Sequence, residues 1–155
     1  MADKLIVGWR EWLALPVLGV PAIKAKVDTG ARTSALHVFD LRTVQRSGRP
    51  WVAFQLHPLR RRLDLIIACE AELVDERLVR DSGGHQERRL VIETPIRLGE
   101  SQWPVEITLT NREDMRFPML LGRTAMAGRL AVDPECSFTT GRPPRSTYPR
   151  KKRSR

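Results

Sequence analysis

Apolar residues in this chain recur at every second position over short runs, and Gly, Pro, Asn or Asp ends each run before a long helix can form. A strand puts alternate side chains on opposite faces, so a period of two describes ribbons buried on one side and wet on the other. Val20 to Val27 (VPAIKAKV) is the clearest case, with Ile23, Ala25 and Val27 on one side and Ala22, Lys24 and Lys26 on the other. Similar runs occupy Leu5 to Trp9, Trp51 to Leu56, Leu63 to Ala68, Leu90 to Leu98 and Pro104 to Leu109. Gly19, between Leu15-Pro16-Val17-Leu18 and Val20, marks a tight bend. Asp81-Ser82-Gly83-Gly84 separates Leu73 to Val79 from Leu90 to Ile96, which predicts a longer hairpin with a glycine-bearing tip. One short helix is expected from Arg123 to about Gly128, because Ala and Met favour helix and Gly stops it. The pattern as a whole predicts a mainly β protein, an antiparallel barrel or sandwich with little helix.

With 155 residues the chain has material for one domain and one core, expected over 1–141. The net charge of +9 is concentrated at one end. Arg142, Arg145, Arg150, Lys151, Lys152, Arg153 and Arg155 stand in a stretch without an acid, and taking their charge away leaves only +2 on the body. Three prolines and little apolar mass predict that 142–155 is a disordered basic tail. It reads either as an electrostatic contact for RNA, a ribosome or an acidic protein, or as a solubilising extension. Arg60-Arg61-Arg62 is expected to be a solvated loop, and neither cluster comes with an RNA-binding aromatic motif, a zinc finger or a helix-turn-helix pattern.

No stretch approaches the roughly 18 apolar residues that span a bilayer, and Met1 to Arg10 has too short an apolar run for a signal peptide, so a cytoplasmic protein without membrane contact is expected. Cys69 and Cys136 are too few for a disulfide framework. The four tryptophans, Trp9, Trp12, Trp51 and Trp103, read as core and interface filler.

The segment that carries chemistry is Lys26-Val27-Asp28-Thr29-Gly30-Ala31, a strand ending in a carboxylate, a hydroxyl and a glycine. One carboxylate of ordinary acidity is a poor acid-base catalyst at neutral pH, but two held about 3 Å apart share one proton. Such a pair activates water with one member and protonates a carbonyl with the other, with no metal and no covalent intermediate. Asp-Thr-Gly by itself recurs by chance in roughly 2% of chains this long, so a second element is needed to give it weight. Met119-Leu120-Leu121-Gly122-Arg123 supplies one, an apolar strand that enters a helix through a glycine.

Asp28-Thr29-Gly30-Ala31 followed far downstream by Leu120-Leu121-Gly122-Arg123 resembles the retropepsin-like aspartic proteases. Gly8-Trp9-Arg10-Glu11-Trp12 with Leu15-Pro16, Lys24 through His37, and Thr108-Leu109-Thr110-Asn111-Arg112 leading to Met115 resemble more closely a bacterial family often labelled "ATP-dependent zinc protease". That family is associated with ATP-grasp ligases that add glutamate to a ribosomal protein. The likeness covers about residues 5 to 140.

The resemblance implies a small closed antiparallel β-barrel of retropepsin type with one short C-terminal helix. Asp28 would be the catalytic carboxylate, and a homodimer would bring two copies of it together. Thr29 would lock the two catalytic loops to each other, and the Gly30 carbonyl would take substrate backbone. Ala31 and Arg32 would contact a peptide or protein substrate. The hairpin tip at Ser82, Gly83 and Gly84 would be a flap that closes over it. Gly122 and Arg123 would begin a helix beneath the catalytic loop, with Arg123 a structural brace. Viral retropepsins commonly carry an acid where Arg32 stands. Arg32 therefore either binds an acidic substrate, such as a glutamate-rich tail, or faces solvent or pairs with Glu11 or Asp133. Thr43 to Asp64 is longer than the viral enzymes have and predicts an added hairpin.

The family label mentions zinc, yet His37, His57 and His85 are far apart in sequence, no HExxH is present, and neither cysteine has a partner at ligand spacing, so no metal is expected. His37 is expected near a strand edge and His85 at an exposed tip. There is no P-loop, GxGxxG or GxSxG, so ATP would belong to a partner. Two functions remain: an aspartic endopeptidase needing no cofactor, or a catalytically silent binding and regulatory module for a ribosome-modifying ATP-grasp ligase, reached through the basic tail.

Overall fold

The computed structural model describes residues 3–80, 83–112 and 115–150. In chain order these form β1 (Leu5–Val7), β2 (Arg10–Leu15), β3 (Val20–Val27), β4 (Ser34–His37), β5 (Phe39–Arg46), β6 (Arg49–Leu56), β7 (Ile67–Arg80), β8 (Gln86–Leu98), β9 (Ser101–Thr110), β10 (Met119–Leu121), helix α1 (Arg123–Met126), β11 (Leu130–Val132) and a 3₁₀ turn at Arg145–Thr147. Strands β2, β3, β10, β4, β9 and β8 follow one another around a closed barrel, and a single pairing, Ala14 with Arg97, joins β8 back to β2. From β8 the sheet continues outward through β7, β6 and β5. The expectation of a mainly β, closed barrel with one short helix holds.

Alternation builds the core as it should. In β3, Ile23, Ala25 and Val27 are buried while Pro21 and Lys26 are exposed. Ile92, Ile96 and Leu98 from β8, Ile107 and Leu109 from β9, and Met119 and Leu121 from β10 fill the same interior. Each such side chain contributes about 1.5–3 kcal/mol on leaving water. Two seams of the barrel, β3 with β10 and β4 with β9, run parallel within an otherwise antiparallel wall. The β10 case follows from geometry. The chain reverses between β3 and β4, so a strand inserted between those two arms is parallel to one and antiparallel to the other.

Several local expectations shift. Leu63 to Ala68 is a strand only from Ile67 onward. Residues 57–66 are instead a loop in which Arg62 binds Asp64 and His57 Nδ1 meets the Leu65 carbonyl, and Leu63 and Ile66 stay exposed. Local side-chain hydrogen bonds there outcompete a ladder. The added hairpin is β5 with β6, turning at Ser47-Gly48, so it starts and ends earlier than Thr43 to Asp64. The run from Leu5 breaks at Gly8, where a Cβ would stand 2.2 Å from the Cys136 carbonyl oxygen. The described part of the basic extension, 142–150, makes specific contacts. The Tyr148 hydroxyl donates to the Ala22 carbonyl and accepts from the Ala22 N–H, both left without ladder partners by the bulge between β2 and β3. Arg62 also donates to Pro149 O.

Glu11 sits at an inward position of β2 with no exposed surface. Its two oxygens accept from Gly8 N, Thr139 N and Oγ1, and Thr140 N and Oγ1, at 2.7–3.2 Å. Burial works to raise its pKa, but these donors together overcome it and hold the carboxyl below its ordinary value of 4.5. Glu11 therefore adds stability at every pH above that ordinary value, and the contribution disappears as pH falls through the depressed folded value. Glu11→Ala is expected to lower stability at neutral pH by about 3 kcal/mol, because buried donors lose a charged acceptor. Urea unfolding should also show the gap between wild type and Glu11→Gln widest at neutral pH and closing below pH about 4.5.

Burial pushes the Cys69 thiol up to about 12, and Asp133 raises that of Cys136. Both thiols thus resist forming thiolate. Among the described residues no helix is long and apolar enough to cross a membrane.

Candidate active site

β3 delivers Asp28 to one end of the barrel. The Val27 N–H donates to Trp9 O at 2.8 Å, and the Asp28 N–H donates to Leu121 O on β10 at 2.9 Å, so the backbone is fixed on both sides up to the carboxylate. The chain then turns through 28–33. The Gly30 N–H donates to Asp28 Oδ1 at 3.0 Å and the Ala31 N–H to Asp28 O at 3.3 Å, a turn in which the aspartate organises its own loop. Asp28 Oδ2 has no hydrogen-bond partner among the described residues.

Helix α1 holds this loop from below. Its first N–H groups have no intrahelical acceptors. Here Arg123 N donates to Ala31 O at 2.7 Å and Thr124 N to Arg32 O at 3.0 Å. The Arg123 guanidinium adds a bond to Thr29 O at 3.1 Å, and the Gly122 N–H donates to Ser34 Oγ at 3.0 Å. Gly122 lies so close to the Thr33 backbone that any Cβ would stand 2.4 Å from Thr33 C. The indole of Trp103 on β9 anchors the far end of the helix through Ala125 O at 3.0 Å.

Above the loop, β7 and β8 form a long hairpin paired from Leu73 with Ile92 to Arg80 with Gln86. Between loop and hairpin lies a cavity of about 1270 Å³. That is larger than the ~300–1,000 Å³ of most small-molecule sites and suits an extended chain. Asp28, Gly30, Ala31 and Arg32 form one wall, and Arg77, Leu78, Val79 and Arg80 from the hairpin form the other. Five arginines (Arg32, Arg77, Arg80, Arg89 and Arg112) and three acids (Asp28, Glu93 and Glu106) line it, leaving an excess of positive charge. A smaller recess of about 310 Å³ at Val79, His85, Glu87, Arg89 and Arg112 adjoins it.

Thr29 and Gly30 are exposed beside Asp28. Arg32 is exposed and makes no ion pair among the described residues. Glu11 is not its partner, since Glu11 is enclosed by Gly8, Thr139 and Thr140. Gly83 and Gly84 are at the hairpin tip, beyond the part that lines the cavity, and Ser82 lies outside the described residues. His37 ends β4 half-buried and His85 is exposed near the tip. His57 stacks on Phe39 with ring centroids 4.6 Å apart. Among the described residues no three His, Cys, Asp or Glu side chains are grouped to hold a metal ion, so the donor set does not fit zinc.

Sequence reasoning did not single out Arg77, Arg80 and Arg89. Arg89 is only 8% exposed, bound to Glu87 at 3.0 Å and to Thr108 Oγ1 at 3.4 Å, while Thr108 Oγ1 donates to Ser34 O. A buried charge breaking the alternation of β8 was the available signal.

The family described as RimB-like, retropepsin-like aspartic endopeptidase RimB, matches residues 6–143. The chain belongs to the RimB-like family. This RimB-like chain is also 50% identical over 139 residues to a Shewanella pealeana protein named a probable alpha-L-glutamate ligase, covering 90% of the chain and 30% of that protein. A Desulfotalea psychrophila protein of the same name is 46% identical over 138 residues, again 30% of its length. The RimB-like chain thus spans about 30% of the length of the curated relatives it matches. Among solved structures, a Legionella pneumophila protein of unknown function is similar with a TM-score of 0.76 and 29% identity, over 89% of this chain and 99% of that one.

Proposed function

We propose that this RimB-like chain is an aspartic endopeptidase that works as a homodimer, with one Asp28 from each copy forming the dyad. The observation that carries the reading is a rigidly held Asp28 with an unpartnered Oδ2 on the wall of a cleft long enough for a peptide. The exposed Thr29 and Gly30 beside it support a loop that meets its own copy across a two-fold axis. In the dyad the ionised carboxylate takes a proton from water as the oxygen attacks the scissile carbonyl. The protonated carboxyl gives its proton to the carbonyl oxygen, forming a gem-diol. Collapse of the diol breaks the C–N bond: the proton taken from water passes to the leaving amine, and one diol hydroxyl returns its proton to the other carboxylate, leaving a carboxylic acid and the dyad as it began. The β7/β8 hairpin excludes bulk water over the cleft, with Ala31 and Arg32 on the opposite wall as substrate contacts, and Gly83 and Gly84 at its tip reach substrate when the hairpin closes.

The excess of arginine in the cleft favours acidic or glutamate-rich substrates. The relatives' names support a partner of the glutamate-ligase class, and the basic extension offers it or a ribosome an electrostatic contact in the cytoplasm. Those names also favour a second reading, a silent module that regulates such a ligase without cleaving anything. Purified protein and a peptide library separate the two. Hydrolysis that persists in a chelator, is blocked by a pepstatin-type inhibitor and falls with the square of enzyme concentration on dilution supports the peptidase. No hydrolysis at concentrations where the protein is dimeric favours the module.

A further inference from the structure

The outer face of β2 and β3 carries charge that the cleft does not use. Trp12 pairs across the strands with Lys24, and Arg10 with Lys26, and the segment containing Phe138 and Arg142 packs over them. The Arg10 guanidinium is 4.7 Å from the Phe138 ring centroid, the Lys24 ammonium 5.5 Å and the Arg142 guanidinium 4.5 Å. Three cations share one phenyl ring, so no two of them are more than about 10 Å apart. Arg10 also lies 4.6 Å from the Trp9 ring and Lys24 5.3 Å from that of Trp12.

No acid balances them. Arg10, Lys24, Arg61 and Arg142 make no ion pair among the described residues. Glu11 is on the same strand but faces inward, its oxygens taken by Gly8, Thr139 and Thr140. Cation–π contacts attract each cation to the ring but leave the mutual repulsion in place. Desolvation, then Arg10, Arg142 and Arg61, draw the Lys24 pKa below its usual range. Arg10 Nε and Trp12 Nε1 are buried there without acceptors. The cluster is therefore short of negative charge and of hydrogen-bond acceptors together, a local inconsistency of the kind that marks a binding surface.

We propose that this face docks an acidic polypeptide segment, whose carboxylates bridge Arg10, Lys24 and Arg142. Single-stranded nucleic acid would need open aromatic faces for stacking, and here the rings carry cations instead. An extended peptide presents same-side carboxylates about 7 Å apart, a spacing that suits cations set around one ring. None of these three cations lines the cleft that holds Asp28, and docking here does not depend on peptide hydrolysis.

The test is fluorescence anisotropy at low salt with a labelled peptide of alternating aspartate and serine, titrated with the full chain. Lys24→Gln combined with Arg142→Gln should weaken binding about tenfold. The same loss of charge at Arg42→Gln and Arg49→Gln, on the β5/β6 hairpin, should leave it unchanged. The loss caused by removing Lys24 and Arg142 should be the same factor in an Arg32→Ala background as in the wild-type chain, which separates this surface from any uptake of acidic peptide by the cleft. Wild-type affinity in the Lys24/Arg142 double variant, no binding of the peptide, or tighter binding of an oligouridylate of equal charge would overturn the proposal.

Discussion

Asp28→Asn should lower peptide hydrolysis by at least about a thousandfold while leaving the melting temperature almost where it was. The amide oxygen of asparagine can still accept from the Gly30 N–H, so the loop keeps its internal bond and its ties to α1. On the proposed dyad, what is lost is the proton that two carboxyls would hold in common, since an amide neither ionises nor passes a proton on. Mixing makes the prediction sharper. Adding an equal amount of Asp28→Asn to wild type draws roughly half of the wild-type chains into mixed dimers, so activity should drop by about half. A monomeric catalyst would be indifferent to the inactive chain, and full activity in the mixture would refute the dyad.

Gly122→Ala should be the most damaging small substitution to stability near the cleft. Its Cβ would stand 2.4 Å from Thr33 C, 2.5 Å from Thr33 O and 2.8 Å from Ser34 N. All three are backbone atoms held by strand pairing and by α1, so no side chain can swing aside to make room. Relief requires β10 and the 28–33 loop to separate, which breaks the bonds from Asp28 N to Leu121 O and from Gly122 N to Ser34 Oγ. A loss of about 3 kcal/mol or more is expected, read as a fall in melting temperature of roughly 6–12 °C for a chain of this size. Activity should fall further than stability alone predicts, because the carboxylate sits on the displaced loop. Thermal melting and turnover of the same sample test both parts.

Much of the barrel was legible because strands carry their own signature. β3 has the bounds that alternation gives it, and Met119-Leu120-Leu121-Gly122-Arg123 is a buried strand leading through glycine into a helix. Strand β2 was harder, since its inward positions are Glu11, Leu13 and Leu15, and a carboxylate at the first of them breaks the apolar rhythm. Only the Thr139-Thr140 segment, 128 and 129 positions away, explains why a charge belongs there. Leu63 to Ala68 failed the other way, because Leu63 and Leu65 alternate yet Leu63 faces water and Leu65 is only half-buried. At the site, Asp28, Thr29 and Gly30 announce themselves as a motif. Arg77 and Arg80 do not, because their proximity to Asp28 comes from the hairpin folding across the barrel mouth.

The bond from Arg123 to Thr29 closes a loop of 94 positions, and the strand that threads between β3 and β4 arrives just before it. Contacts so distant along the chain form late in folding and after a large entropy loss. During synthesis on the ribosome, the 28–33 loop therefore lacks its ties to β10 and α1 until residues near 120 have left the exit tunnel. The cleft at Asp28 is braced on both sides only once almost all of the barrel has emerged.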